Sequence, residues 1–476
     1  MVNIRVEEKD KKVYLKDLAF ISTVFNESGA LIPFLASLFK QAVMPSEIIL
    51  VDGGSTDDTL AIITDFFKGL KKTQGLEAVT VFEEASGNSF KPAGHKPGNE
   101  SAALPPACKA VNGDGVLPGC KAVNGDITGM SGCKAAKNSE KTPGDIDYSG
   151  EKLVFESILN GATRVKIYGA PGANISSGRN IAIKNAKSKF ICVSDAGCRL
   201  SPDWIEEISK CFTGNPVNTL GSEDDDNTNP DRTTGTIAAD YSAEKKCGEG
   251  NCAATDIADD IVVGGYNFPY IENFLQACLA VCVLPAKSEI NRSKYMPSSR
   301  NICFAKAAWE NAGGYPKNMD FGEDMRFNFN LKALGFRIKF NPDALVYWNL
   351  RNSSAAIFRQ FFRYAKGDAV GRLYLHRHII RFASVFLFAA LIMSGALISP
   401  WFFLAILLLF AAFIYRPYFR INYFLNDKNC CVFTENKKTL FFIKLKTIFC
   451  IPVMLTSIET AKLAGYVFGL FIRKNY

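Results

Sequence analysis

Short apolar runs alternate with helical periodicity along the first half of the chain. The runs that predict strands are LAFISTVF (18–25), SEIILVD (46–52), VKIYG (165–169) and KFICVSD (189–195). The periodic segments that predict helices are 28–41, 57–68 and 176–187. Strands with helices between them usually pair in parallel through crossover connections. The pattern therefore predicts an α/β fold with a parallel, nucleotide-binding type of sheet.

Apolar stretches near the C-terminus are long enough to enter a bilayer. Residues 383–415 carry no charge. As one helix they would run about 50 Å, against a hydrocarbon core of about 30 Å, which favours two spans turning at Pro400. A further apolar segment, 448–471, contains Glu459 and Lys462. Two alternatives stay open for it, a third span or a helix lying along the bilayer surface.

Basic residues flank the predicted hairpin on both sides. Seven Lys or Arg lie within 351–381, and five more follow within 416–438. Because basic loops stay on the cytoplasmic side, both ends of the hairpin are expected there. The charged N-terminus, MVNIRVEEKDKK, lacks the apolar run of a signal peptide. We therefore expect a multi-pass cell-membrane protein whose folded N-terminal domain is cytoplasmic.

Two polar stretches interrupt the strand and helix pattern. Residues 86–150 are rich in Gly, Pro, Lys and Asn and repeat a Cys-containing segment, and residues 214–260 contain eleven acidic but three basic residues. Both compositions predict solvated, mostly disordered insertions. The predicted organisation is a catalytic domain over 1–380 that contains both insertions, followed by a membrane-anchoring helical region over 381–476.

The amino-acid composition narrows the classes of enzyme to which the chain can belong. The chain has only three histidines, none in a predicted soluble core, which counts against Ser-His-Asp hydrolases, Cys-His proteases and His-ligated zinc enzymes. Acid–base chemistry is therefore expected from carboxylates. A net charge of +8 is mild for 476 residues and gives no case for nucleic-acid binding. Many of the fourteen cysteines stand alone in apolar runs, a pattern typical of buried thiols in a reducing compartment.

Polar residues follow three of the predicted strands at their carboxyl ends, the edge at which α/β sheets bind ligands. They are Asn26 and Glu27, which follow Phe25 at the end of the first strand, Asp52, which ends the second strand before Gly53, and Asp195, which ends the strand at 189–195. One aspartate at a strand end is common because turns favour it. Three successive strands with this feature indicate a ligand site at that edge.

The order of several motifs resembles the family-2 glycosyltransferases of the GT-A fold. ISTVFNES followed by PSEIILVDGGSTDDT resembles the opening of that family, and GRNIAI followed by FICVSDAGC resembles its central segment. Residues 297–348 are similar to its acceptor half, and RQFFRYAKGD (359–368) is similar to its Gln-x-x-Arg-aromatic motif. The resemblance covers about 18–70 and 160–380. It implies a Rossmann-like GT-A domain that uses a nucleotide-diphospho-sugar donor.

The resemblance also implies a role for each matched residue. The donor-binding residues would be Phe25 beside the base with Asn26 and Glu27, Asp52 as the base-recognising carboxylate with Gly53, Arg179 near the diphosphate, and Asp195. On the acceptor side, Asp324 would be the general base and Glu323 its neighbour, with Gln360, Arg363 and Tyr364 near the acceptor and leaving diphosphate. Simpler interpretations stay open: a surface charge for Arg179, an acidic helix N-terminus for 323–324 and an interfacial helix for 359–368.

The predicted metal site departs from the family pattern. Asp195 falls on the first aspartate of the family's DXD motif, but the third position is Gly197. A divalent cation on a diphosphate prefers oxygen ligands, and one carboxylate of the motif is missing here. The resemblance implies Mg²⁺ or Mn²⁺ at Asp195, with an incomplete ligand set.

Together these features predict a membrane-anchored, inverting glycosyltransferase of the hexosyltransferase type (EC 2.4). The expected acceptor is a lipid-linked or growing glycan, as in polysaccharide or cell-envelope biosynthesis. A processive polysaccharide synthase and a non-catalytic nucleotide-sugar-binding subunit stay open as alternatives. A membrane-anchored nucleotidyltransferase is disfavoured because no glycine-rich, lysine-bearing phosphate loop is present.

Overall fold

The computed structural model describes residues 4–6, 13–73, 150–213, 260–427, 430 and 436–473. The two predicted insertions, 86–150 and 214–260, lie outside the described residues except for their last positions.

The strands form one mixed sheet. They are β1 (Ile4–Val6), β2 (Val13–Val24), β3 (Val43–Asp52), β4 (Lys152–Leu159), β5 (Thr163–Gly169), β6 (Phe190–Val193), β7 (Cys198–Leu200), β8 (Ile261–Tyr270), β9 (Ile302–Ala305) and β10 (Arg337–Asn349). Their order is β4-β5-β3-β2-β6-β9-β8-β10-β7, with β1 paired to β2.

Helices cover the sheet and continue beyond it. Those that accompany the strands are α1 (Ser28–Phe39), α2 (Thr59–Thr73), α3 (Ile175–Asn185), α4 (Trp204–Thr213), α5 (Phe274–Val283), α6 (Lys306–Asn311) and α7 (Glu323–Ala333). Those that follow the sheet are α8 (Ser354–Val370), α9 (Leu375–Leu397), α10 (Trp401–Leu425) and α11 (Lys437–Ile472). The predicted fold class, an α/β domain followed by a helical region, is confirmed.

The expectation of a parallel sheet holds for only part of it. Strands β5, β3, β2 and β6 pair in parallel. However, β9 runs antiparallel to both β6 and β8, and β4 and β7 are antiparallel to their neighbours. The physical reason is that the chain returns into β9 from the edge at which β8 ended, so no crossover is made and the direction reverses.

The central strands are buried on both faces over most of their length, which explains the apolar runs within them. Leu18 and Phe20 of β2 belong to the core on one face, whereas Ala19 and Ile21 belong to the core on the other. The ring of Phe20 packs edge-on against Trp204 of α4, with 6.0 Å between ring centroids. Of the cysteines that the structure describes, eight are free thiols, and six of these are buried.

The helices α9, α10 and α11 are each long and apolar enough to cross a membrane. The break between α9 and α10 lies at residues 398–400, where the sequence pattern places the turn. Large apolar side chains on these two helices face outward, among them Phe386, Leu397 and Trp401. Such a continuous exposed apolar surface is typical of a membrane-facing region.

The helix α11 packs closely against α8 because of two glycines one turn apart. A Cβ added at Gly465 would lie 2.1 Å from the carbonyl oxygen of Phe362, and one added at Gly469 would lie 2.7 Å from that of Lys366. Small residues spaced by four allow helix backbones to approach this closely, as in membrane helix pairs. The pair therefore joins the last candidate span to the helix that follows the sheet.

We expect Gly465→Ala to lower the midpoint of thermal unfolding of the detergent-solubilised protein. The added methyl group must push α11 away from α8, and overpacking of this kind costs about 1–3 kcal/mol. Gly29→Ala in α1 is the matched control, because its added Cβ would meet no atom within 4 Å. Equal midpoints for Gly465→Ala and the wild type would contradict the close packing.

Candidate active site

Arg179 lies at the centre of a buried cluster of charged side chains. Its Nη2 is 2.8 Å from Asp195 Oδ1, and its Nη1 is 2.7 Å from Glu323 Oε1. The side chain is only 3% exposed. A guanidinium in such a position holds both carboxylates in fixed orientations, because its donors are rigidly arranged. This contact brings together three residues that the sequence analysis selected separately, and the interpretation of Arg179 as a surface charge was wrong.

The helix α3 holds Arg179 in place through its neighbours. Asn174 caps the helix by accepting from Ser177 N at 2.9 Å. A Cβ added at Gly178 would lie 2.7 Å from Thr23 Cγ2, so only glycine allows α3 to pack this closely on β2. Asn180 Oδ1 accepts from Trp309 Nε1 at 2.8 Å and from Tyr315 N at 2.9 Å. The arginine is therefore fixed between the sheet and the loop before α7.

The pKa values in the cluster reflect burial and mutual charge. Burial lowers the pKa of Arg179, but Asp195 and Glu323 outweigh it and hold that pKa above its ordinary value. Burial and then the adjacent Asp324 raise the pKa of Glu323 to about 7, against the opposing effect of Arg179. Glu323 therefore changes its charge near neutral pH.

Glu323 and Asp324 are the first two residues of α7. Gly322 precedes them with φ of 78°, a left-handed conformation that favours glycine. Glu323 is buried, and Asp324 Oδ1 accepts from Met325 N at 2.8 Å. A Cβ added at Gly367 of α8 would lie 2.3 Å from the carbonyl oxygen of Phe321. The turn that presents the two carboxylates is thus pressed directly against the helix that leads to the candidate spans.

Arg300 is a second, partly buried cation that the sequence analysis did not single out. Its Nε lies 3.7 Å from Asp195 Oδ2, and its guanidinium stacks over the Trp348 ring at 4.0 Å. Burial lowers the pKa of Arg300, but Tyr364 and Asp195 raise it above the ordinary value. Its Nε has no hydrogen-bond partner within the described part of the chain. Asp195 therefore lies between two guanidinium groups.

The loops after β2 and β3 are joined to each other by hydrogen bonds. Asn26, with φ of 53°, accepts at Oδ1 from Thr56 N at 2.8 Å and donates from its backbone N to Ser55 Oγ at 2.9 Å. The buried Asp52 carboxylate accepts from Gly54 N and Ser55 N, each at 3.0 Å. Asp52 therefore organises its own loop.

Phe25 and Gly53 face each other across this pair of loops. The Phe25 side chain is 57% exposed, and its Cδ2 would lie 3.5 Å from a Cβ added at Gly53. The same added Cβ would lie 2.9 Å from the carbonyl oxygen of Ala173, so a side chain at position 53 has no room. An exposed ring beside a crowded glycine forms an open surface on which a planar group can stack.

The carboxylate of Glu27 occupies the space beside Gly197. A Cβ added at Gly197 would lie 3.8 Å from Glu27 Oε2 and 3.9 Å from Oε1. Burial raises the pKa of Glu27, opposed by Arg351 and increased further by the negative charges of Asp195 and Asp57. A carboxylate from the β2–α1 loop thus lies where the second aspartate of the motif is missing.

A divalent cation that also binds a diphosphate needs only one or two protein carboxylates, since phosphate oxygens and water complete its coordination. Asp195 and Glu27 meet that requirement. Within the described ranges, no group of three or more His, Cys, Asp or Glu side chains is arranged to hold a metal alone.

The three residues of the Gln-x-x-Arg-aromatic motif lie on α8. Gln360 and Tyr364 contact each other, whereas Arg363 contacts a different side chain. Gln360 Nε2 donates to Tyr364 Oη at 2.7 Å, one turn further along the helix. Arg363 is exposed, and its guanidinium lies 5.6 Å from the centre of the Phe321 ring. Of the three, Tyr364 lines the cavity described next.

A cavity of about 490 Å³ connects the charged cluster with the helices that follow the sheet. Its charged lining residues are Arg179, Asp195, Arg300, Asp320, Glu323, Asp324, Asp368, Arg377, Arg381 and Lys462. Several aromatic residues complete the wall: Phe321, Trp348, Phe361, Tyr364 and Tyr374. Lysine and arginine side chains of α9 and α11 thus open into the same space as the carboxylates of α7.

The structure divides the predicted site residues into two groups. Arg179, Asp195, Glu323, Asp324 and Tyr364 line the cavity. The second group lies on the neighbouring loops and consists of Phe25, Asn26, Asp52 and Gly53. Glu27 lies on one of these loops, and its carboxylate is beside Gly197, two positions after Asp195. Gln360 and Arg363 lie outside the cavity lining.

The sequence analysis missed four cations that line the cavity: Arg300, Arg377, Arg381 and Lys462. No local pattern distinguishes them from other basic residues near an apolar segment.

Comparison with solved structures gives a distant likeness. S. aureus TarS (residues 1–349) is 10% identical, with 96% of this chain and 91% of that chain covered and a TM-score of 0.35. The mannosyltransferase PcManGT from Pyrobaculum calidifontis, in complex with GDP-Man and Mn²⁺, is 11% identical, with 99% and 90% covered and a TM-score of 0.38. Scores below 0.5 support no conclusion about this chain. No curated protein sequence matches it.

Two family models match separate parts of the chain. Glycosyl transferase family 2 matches residues 19–82, which contain the end of β2, all of β3 and the loops with Asn26 and Asp52. Glycosyl transferase family group 2 matches residues 267–415, which contain Arg300, α7 and α8. Over these two segments, which include Glu323 and Asp324, the chain is similar to family-2 glycosyltransferases.

Proposed function

We propose that the chain is a membrane-anchored, inverting hexosyltransferase in which Asp324 is the general base. The observation that carries this proposal is the position of Asp324. It lines one cavity together with the buried Arg179, the partly buried Arg300 and residues of the candidate membrane helices. A base, cations for a diphosphate and access from a membrane are the three features that such a transfer requires.

The reaction assigns one task to each part of the cavity. The acceptor hydroxyl oxygen attacks the anomeric carbon of the donor sugar while Asp324 takes its proton. The bond between the anomeric carbon and the diphosphate oxygen breaks, and the leaving nucleoside diphosphate keeps the electron pair. A single displacement of this kind inverts the anomeric configuration and needs no covalent intermediate.

Cations on the donor side stabilise the charge of the leaving diphosphate. Arg300 is suited to this task because its Nε has no hydrogen-bond partner within the described residues and its guanidinium is fixed on Trp348. Arg179 orients Asp195 and Glu323 from behind. Phe25 and Gly53 are proposed to bind the nucleotide base between the loops, with Asp52 and Asn26 holding those loops in place.

A divalent cation, Mg²⁺ or Mn²⁺, is proposed to bind with the donor. Asp195 and Glu27 would hold it, because the Glu27 carboxylate lies beside Gly197. The ion would supply positive charge to the donor diphosphate.

The acceptor is proposed to be a lipid-linked or growing glycan that reaches the cavity from the membrane. The helix α8 is pressed against the turn before α7, and α11 is packed on α8, so the cavity and the candidate spans are held together. The basic residues that flank α9 and α10 favour a cytoplasmic position for the domain over 1–380, with 381–476 as its membrane anchor.

A processive synthase is the second candidate, because Arg377, Arg381 and Lys462 of the candidate spans line the same cavity as Asp324. A growing chain would pass from the base toward those helices. The length of the product separates the two candidates, since single-sugar products contradict processive synthesis.

We expect Asp324→Asn to lower kcat by about 10²–10⁴-fold, the usual range for loss of a general base, with little change in donor affinity. The assay measures nucleoside diphosphate released from a panel of nucleotide sugars by the purified chain with a lipid extract.

Glu310→Gln is the matched control for this variant, because Glu310 is an exposed carboxylate on α6, outside the cavity lining. It should behave as the wild type. Turnover by Asp324→Asn within about threefold of the wild type would remove Asp324 from the role of base. Donor binding by the wild type without turnover would favour the non-catalytic alternative.

We expect kcat of the wild type to rise with pH through an inflection near 7, the pKa that burial gives Glu323. Below that pH, Glu323 is neutral and Asp324 loses an adjacent negative charge. That loss weakens the negative potential that draws the acceptor proton towards Asp324. Above it, Glu323 is ionised. Glu323→Gln keeps the neutral state at every pH, so its kcat should stay near the low-pH value of the wild type, without the inflection. If Glu323→Gln kept the same inflection, the inflection would have to come from another titrating group.

We expect Asp195→Asn and Glu27→Gln each to weaken Mn²⁺ binding in the presence of a nucleoside diphosphate by about tenfold or more. Each variant removes one anionic oxygen ligand. The free and bound ion are measured by electron paramagnetic resonance, which requires no turnover. Asp58→Asn is the control, since Asp58 is an exposed carboxylate of a neighbouring loop. A Glu27→Gln variant that binds Mn²⁺ as tightly as the control would show that Glu27 is not a ligand.

A further inference from the structure

A group of charged residues from three helices lines the part of the cavity formed by the candidate spans. Arg377 and Arg381 come from the first turns of α9, Lys462 comes from α11, and Asp368 comes from the end of α8. The neighbouring residues Ile379 and Ile380 are exposed apolar side chains on the same turns. Charged residues beside outward-facing apolar ones at the start of a span are typical of the headgroup depth of a bilayer.

The anions of this group are already engaged. Glu459 accepts from Arg381 Nε at 2.7 Å and from Lys462 Nζ at 2.6 Å, so one carboxylate is shared by two cations. Asp368 Oδ2 lies 3.0 Å from Nε2 of His378, a side chain that is 1% exposed.

The tautomer of His378 follows from its second neighbour. Arg381 Nη1 lies 3.2 Å from His378 Nδ1. Because a guanidinium can only donate, Nδ1 must accept, and the ring proton is on Nε2, where it donates to Asp368. Three cations face two carboxylates, which leaves one positive charge in excess.

Arg377 carries that excess charge. Its guanidinium stacks on the Tyr374 ring at 3.9 Å, and it forms no ion pair with a carboxylate in the described part of the chain. Tyr374 Oη in turn contacts Met325 Sδ at 3.1 Å, next to Asp324. Tyr374 has φ of 50°, and Arg372 before it has φ of 52°. Left-handed backbone at non-glycine residues persists only where the surrounding structure fixes it, as at ligand sites.

We propose that Arg377, supported by Arg381 and Lys462, binds the phosphate group of a membrane-anchored acceptor. This inference rests on the proposed glycosyltransferase function and specifies its acceptor as a phosphorylated lipid. An arginine without a carboxylate partner presents a free fork of donors that fits phosphate oxygens. The exposed apolar turns beside it leave room for the lipid chain in the bilayer, and the Tyr374 contact places the phosphate near the proposed base.

The test measures binding and needs no turnover. The full-length detergent-solubilised chain is titrated with dioctanoyl phosphatidic acid, dioctanoylglycerol and inorganic phosphate, and the shift in thermal unfolding midpoint gives the affinity. We expect phosphatidic acid to bind the wild type. Arg377→Gln should bind it about tenfold more weakly or worse, the loss typical of one hydrogen bond to a charged group.

Arg359→Gln is the charge-matched control, because Arg359 is an exposed arginine of α8 outside the cavity lining, and it should bind as the wild type does. Arg377→Lys keeps the charge without the fork and should lie between the two. If Arg377→Gln does not fold, weaker phosphatidic acid binding by Arg377→Lys than by the wild type tests the proposal instead.

Three results would overturn the proposal. Equal affinity of Arg377→Gln and the wild type for phosphatidic acid would exclude Arg377 as the phosphate ligand. Equal binding of dioctanoylglycerol and phosphatidic acid would show that the lipid chains alone are recognised. Inorganic phosphate binding as tightly as phosphatidic acid would show a site for free phosphate instead of a lipid. Failure of the general-base assignment would appear in the turnover of Asp324→Asn and would leave these binding results intact.

Discussion

The buried guanidinium of Arg179 is the interaction on which the site depends. It joins Asp195, at the end of a central strand, to Glu323, at the start of α7. Without it, Glu323 would be buried with no cation beside it, and breaking a buried ion pair in this way costs several kcal/mol. With it, the carboxyl edge of the sheet and the start of α7 have one fixed geometry. The raised pKa of Glu323 follows from the same enclosure.

Close backbone approaches connect this cluster with the candidate membrane helices. Gly367 lets α8 lie on the turn that precedes α7, and Gly465 lets α11 lie on α8. Neither contact tolerates an added methyl group without a shift of backbone, so the cavity wall and the candidate spans behave as one packed unit. These contacts fix the position of the α7 carboxylates relative to the charged residues of α9 and α11 in one cavity.

Local patterns account for much of the fold but for less of the site. The apolar run LAFISTVF (18–25) predicted a strand, and the uncharged stretch before and after Pro400 predicted two helices, because both are properties of consecutive residues. The antiparallel β9 was not foreseen, since the direction of a strand depends on where the preceding connection enters the sheet. Likewise Gly197 suggested a lost ligand, whereas a carboxylate from a distant loop, that of Glu27, lies beside it.

The sequence by itself determined the α/β pattern, the apolar C-terminal helices, the ordered motifs that resemble family-2 glycosyltransferases and the candidate carboxylates. These depend on periodicity, on composition and on the residues within each motif. Only the tertiary structure decided that Arg179 contacts Glu323, 144 positions away, that Arg300 flanks Asp195, and that Arg377 opens into the same cavity as Asp324. Such contacts arise from how helices pack on the sheet, and the packing depends on many distant residues at once, so no local pattern contains it.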